Sequence, residues 1–112
     1  MKLLAALADV IRSKNAGPYE VTLDIIFASE DVYRLVKKRR LIRPQTIADL
    51  YGLKAVDIRS VVYFDPASAV KITMIRPVVS GAPGDTDGYG AQQHAPLLEL
   101  ELDIGGVEDA HD

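Results

Sequence analysis

The 112-residue chain contains no cysteine, which excludes a disulfide framework, a thiol nucleophile, an iron–sulfur cluster and any thiolate zinc site. Histidine is nearly as scarce, with only His94 and His111. Nowhere do about 18 apolar residues follow one another, so no transmembrane helix is expected. Residues 1–8 are largely apolar, but Asp9 and Arg12 interrupt the run before it reaches secretory length. Export is therefore not expected, and the cytoplasm is the default location. An excess of positive charge is also missing. Thirteen basic side chains stand against sixteen acidic ones, giving a net charge of −3, a poor footprint for a DNA binder.

What remains is the composition of an ordinary globular domain, 48% hydrophobic and 26% charged. A chain of this length buries roughly 65% of its unfolded surface and needs no metal or disulfide to hold it. The expected organisation is one domain over residues 1–104 followed by a polar tail, 105–112. Leu3, Leu4, Leu7, Val10 and Ile11 recur at helical spacing, which predicts a short helix passing into extended chain near Val10. Val21, Leu23, Ile25 and Phe27 alternate with Thr22, Asp24 and Ile26, the pattern of a strand with one buried face. Ser29 then offers an N-cap, and Glu30 and Asp31 put negative charge where the helix dipole favours it. A second helix follows, opened by Pro44 and stopped by Gly52. Residues 58–64, the turn at Asp65-Pro66 and the alternation Val70, Ile72, Met74 predict a hairpin. Leu98, Leu100, Leu102 and Ile104, separated by Glu99, Glu101 and Asp103, predict a last strand with one acidic face. The expected fold class is α+β: a ferredoxin-like two-layer sandwich, its mostly antiparallel sheet carrying two consecutive helices on one face.

Chemistry concentrates in two glycine-bounded segments. In 12–17, Arg12 and Lys14 share one face if the chain is extended, where they could hold a carboxylate or phosphate. Lys14 beside Arg12 also has the setting in which an amine becomes nucleophilic. Ser13 and Asn15 add a hydroxyl and a carboxamide; a capped polar turn accounts for the same residues without function. The second segment, 84–94, is part of a loop longer than a compact fold of this size requires. It offers Asp85, Asp87, Gln92, Gln93 and the imidazole of His94, a general acid or base near neutral pH or else a plain surface residue. Asp85 and Asp87 begin like a calcium loop, but Tyr89 and Pro96 occupy its third and last ligand positions, so an EF-hand is excluded. The glycines at 88 and 90 lack the third glycine and following helix of a dinucleotide fingerprint. No cofactor or metal is implied. The basic run Arg34, Lys37, Lys38, Arg39, Arg40 and Arg43 has no interleaved aromatics, so it reads as a solvated helix end or as a patch for an anionic surface.

The motifs Arg-Ser-Lys-Asn-Ala-Gly (12–17), Thr-Leu-Asp-Ile-Ile-Phe (22–27), Phe-Asp-Pro-Ala (64–67), Ile-Arg-Pro (75–77) and Gly-Asp-Thr-Asp through Gln-Gln-His-Ala-Pro-Leu (84–97) resemble a small bacterial family known only as a domain of unknown function. Such domains look like the C-terminal ferredoxin-fold piece of the acyclic terpene utilisation protein A (AtuA-like) family, either fused to the large domain or encoded beside it. The resemblance implies a small subunit working with an AtuA-like large partner in catabolism of a small carboxylic acid or acyl-CoA. Hydratase, lyase and isomerase are the reaction classes it brings into view. It points to the Arg12–Asn15 turn and the Gly84–His94 loop as the functional surface; on that surface Lys14, Asn15 and His94 are the expected catalytic residues, with Arg12, Ser13, Asp85, Asp87, Gln92 and Gln93 expected to bind substrate. In the fused relatives the first turn resembles Ser-Gly-Asp-Lys-Gly, so Lys14 and Asn15 depart from that pattern. From another class comes a non-catalytic homo-oligomeric interaction or ligand-binding module whose loops form its subunit contacts. Neither nucleic acid nor membrane is an expected partner.

Overall fold

The computed structural model describes residues 1–76 and 94–105. Among these, the chain forms six strands and three α-helices. β1 (Lys2–Leu3) leads into a single helical turn, α1 (Leu4–Leu7), and then into β2 (Ala8–Asn15). The helix-to-extended switch falls two residues earlier than the periodicity predicts. It is anchored by Leu4 and Leu7, both buried. A turn closed by Ala16 N–H donating to the Glu20 carbonyl, with Gly17 at φ 114°, returns the chain as β3 (Glu20–Phe27). That φ is comfortable only for glycine.

β3 is the spine of the fold. Val21, Leu23, Ile25 and Phe27 are buried on one face, as their period of two requires. The chain then crosses through α2 (Glu30–Arg39) and α3 (Pro44–Tyr51). Ser29 Oγ accepts from Val32 N–H at 3.3 Å, the cap that a serine ahead of two acids predicts. Val32, Tyr33 and Val36 are the buried stripe of α2, with Ile47 and Ala48 buried on α3. Gly52, at φ 70°, ends α3 in the left-handed region.

β4 (Ile58–Phe64) and β5 (Ala69–Ile75) form the predicted hairpin, joined by a 3₁₀ turn at Asp65–Ala67. Four strands make one antiparallel sheet in the order β2-β3-β5-β4. β3 and β4 thus run parallel with β5 between them, and the α2–α3 crossover spans that gap. Both helices pack on the face that carries Leu23, Ile25, Val70 and Ile72. The result is a small mixed α/β domain with antiparallel sheets.

The C-terminal segment differs from its prediction. Instead of one strand over 98–104, the chain makes a 3₁₀ turn, Ala95–Glu99, and a two-residue strand, β6 (Glu101–Leu102), paired with β1. Leu97, Leu102 and Ile104 are buried while Leu98 is exposed. The leucines are there to fill core positions under α1, and that needs no ladder. The tail beyond residue 105 lies outside the described residues.

Candidate functional site

β2 is an edge strand, and alternation divides its polar residues between two faces. Arg12 stands opposite Asp24, and Lys14 opposite Thr22; Ser13 and Asn15 stand opposite Leu23 and Val21, on the helix side. Arg12 and Lys14 therefore share a face, as extended chain requires, and Ser13 and Asn15 share the other. Arg12 Nε donates to Asp24 Oδ2 at 3.2 Å. Asp24 is the buried member of that pair, its side chain 12% exposed against 64% for Arg12. A carboxylate so far removed from water is stabilised by the charge-assisted hydrogen bond its neighbour supplies.

His94, just ahead of the 3₁₀ turn, is brought to the other face. Its Nδ1 lies 3.3 Å from Ser13 Oγ, joining residues 81 apart in sequence. With the hydroxyl donating to Nδ1, Nε2 carries the imidazole proton and can pass it to a bound molecule. The pair has acid–base capacity, and among the described residues no carboxylate bonds to His94 as the third member of a hydrolase triad would. Ser13 of the first segment and His94 of the second thus meet, with Asn15 on the same strand face as Ser13. Lys14 belongs to the opposite face, away from the imidazole. Asp85, Asp87, Gln92 and Gln93 lie outside the described residues. Among the described residues no three metal-binding side chains converge.

The face of the sheet opposite the helices is not covered by any helix or strand among the described residues. It carries a depression of about 410 Å³ lined by Arg12, Asp24, Ile26, Val62, Phe64 and Lys71, among others. Phe64 is 53% exposed, Val62 49% and Val10 36%. Sequence reasoning missed Asp24 as a site residue. The signal was there: a lone carboxylate in the middle of an otherwise apolar, β-branched strand.

An α+β domain with a one-sided sheet and a Ser–His contact at its edge strand is the class this geometry defines. A family model described as "Domain of unknown function (DUF4387)" matches residues 4–101. The chain belongs to that family. No curated protein and no solved structure matches it. No described helix is long and apolar enough to cross a membrane.

Proposed function

We propose that this chain is the small, cytoplasmic subunit of a heteromeric catabolic enzyme, acting with an AtuA-like large partner on a small carboxylic acid or acyl-CoA in a hydratase, lyase or isomerase reaction. The observation that carries the reading is the uncovered sheet face. Val10, Val62 and Phe64 expose apolar surface around the Arg12–Asp24 pair, as on a layer made to be covered. Arg12, Lys14, Lys71 and Arg59 outnumber Asp24 and Glu20 there, so two copies of this face repel while an acidic-rimmed partner is favoured. A ferredoxin-like ancestry fits the strand order: β3, the helical crossover, β4 and β5 form a split β-α-β unit, and β2 takes the edge position beside β3. In this reading His94, oriented by Ser13, relays a proton, while Asn15 orients the substrate and Arg12 and Lys14 bind the partner or an anionic group at the rim. Asp85, Asp87, Gln92 and Gln93 remain substrate-binding candidates.

The test is co-expression with the AtuA-like protein of the same genome, followed by light scattering and turnover of the purified assembly. A stoichiometric complex that Phe64→Glu dissociates, and whose turnover falls by about 10²–10⁴ in His94→Ala, is expected. A chain that stays alone, or forms only a homo-oligomer, overturns the reading in favour of a ligand-binding or interaction module.

A further inference from the structure

On the helix side of the molecule, away from Ser13 and His94, lies a second concavity, a cleft of about 750 Å³ between α2, the segment just past it and the β4–β5 turn. Its size is that of a small-molecule pocket. Four cations line it, Arg34, Lys37, Lys38 and Arg40, against two carboxylates, Glu30 and Asp65.

The carboxylates are already committed. Arg34 donates to Glu30 Oε2 through Nη2 at 2.7 Å and Nε at 3.2 Å. Lys37 Nζ donates to both Asp65 oxygens, at 2.8 and 2.9 Å, and the Tyr33 hydroxyl donates to Oδ1 at 2.5 Å. The hydrogen bond from Lys37, then that from Tyr33, holds the Asp65 carboxyl below its usual range, so the network stays ionised at neutral pH. Lys38 and Arg40 have no acidic partner among the described residues. The cleft therefore offers two cations unpaired among the described residues in a chain whose net charge is −3.

Arg40 is held there at a conformational cost. It occupies the left-handed region, φ 50° and ψ 51°, where glycine or asparagine normally ends a helix. Hydrogen bonds fix its backbone on both sides. Its N–H donates to the Val36 and Lys37 carbonyls, and its own carbonyl accepts from Arg43 Nε at 2.8 Å. Two residues on, the Tyr63 hydroxyl clamps Ile42, donating to its carbonyl at 2.8 Å and accepting from its N–H at 3.3 Å. Strain kept by an over-determined backbone, at a residue whose side chain lines a cavity, points to a role for that side chain.

From this geometry we infer that the α2–β4 cleft binds the phosphate of a phosphorylated organic molecule, with Lys38 and Arg40 on the phosphate and Tyr63 and Pro66 against the organic part. Two unpaired cations match a dianion better than a single carboxylate, and the guanidinium fork suits phosphate oxygens in pairs. The half-buried ring of Tyr63 and the exposed proline form the apolar wall.

The test titrates the full chain with adenosine 5′-diphosphate and, separately, with inorganic pyrophosphate, following amide chemical shifts at low salt. Saturable shifts on α2, residues 40–43 and the β4–β5 turn are expected, with the nucleotide binding more tightly than pyrophosphate. Arg40→Gly relieves the backbone strain and so folds at least as well as the parent; it weakens nucleotide binding by about tenfold, the loss of one charge-assisted contact. Lys38→Ala weakens it several-fold. Absence of saturation, or an Arg40→Gly affinity within twofold of the parent, overturns the site. Equal affinity for the two probes overturns the assignment of an organic phosphate.

Discussion

The two faces of the four-stranded sheet are built from the same strands and obey opposite rules. On the helix side Val21, Leu23, Ile25, Val70, Ile72 and Met74 are completely buried, and α2 and α3 seal them. On the other side the same strands present Arg12, Asp24, Lys71, Val62 and Phe64. Only the central positions, Thr22 and Asp24, are buried there. One face therefore answers to folding, and the other is free to answer to a partner. Polar residues are placed by that division. Ser13 tolerates the core side because it sits on an edge strand and has His94 to bond with.

Substitutions that treat the faces alike give the sharpest test of this asymmetry. Ile25→Ala on the covered face removes a fully buried side chain from the centre of the sheet. It is expected to cost about 2–5 kcal/mol in urea unfolding. A loss below about 1 kcal/mol at Ile25 erases the distinction.

The uncovered face has one position where stability is at stake. Arg12→Ala leaves the Asp24 carboxylate buried without its partner and is expected to cost about 1–2 kcal/mol, given that the guanidinium itself is largely exposed. Adding Asp24→Asn should recover part of that loss, because the charge is then gone. If the double variant is less stable than Arg12→Ala alone, the pair is not what tolerates a carboxylate in that strand.

Titration separates the helix side in a different way. Burial, followed by the hydrogen bond to Asp65, pushes the Tyr33 phenol above its ordinary range. Burial does the same for Tyr51 and Tyr63. A phenol whose folded value is raised contributes stability that is complete below about pH 10, the unfolded value, and is lost as pH rises through the folded value. Asp65 has the opposite sign. Its stabilising contribution is present above about pH 4 and is lost as pH falls through its depressed folded value. Thermal melts should therefore lose stability on the alkaline side of pH 10 more steeply in the parent than in Tyr33→Phe. Superimposed alkaline limbs would show that this phenol does not respond to its burial.

Much of the covered face was legible in sequence because periodicity reports burial directly. The alternation of β3, the Ser29 cap, Pro44 and Gly52 each correspond to a local physical requirement, and each appears where that requirement puts it. The C-terminal leucines misled for the same reason. Alternating leucines state that side chains are buried, but a strand also needs a partner of matching length, and β1 supplies only two residues. Within the candidate site, the shared face of Arg12 and Lys14 followed from extended geometry. The pairing of Arg12 with Asp24 did not, since it depends on a register between strands. The Ser13–His94 contact spans 81 residues, and no local pattern encodes a meeting at that distance; polarity and bounding glycines marked both segments, but not that they touch.

The smallest expected effect bears most directly on function. Phe64 is more than half exposed on the uncovered face, so replacing it with serine removes little buried area, and the change in unfolding free energy should stay within about 0.5 kcal/mol. If the face exists for the fold's own sake, that is the whole consequence. If it exists to be covered, the same substitution deletes an exposed aromatic anchor from a docking surface, where single residues carry a disproportionate share of binding. Stability unchanged together with a complex weakened by tenfold or more is therefore the signature of a partner-facing sheet. A variant that loses stability by 2 kcal/mol or more places Phe64 in the core's cooperative unit and removes the distinction between the faces.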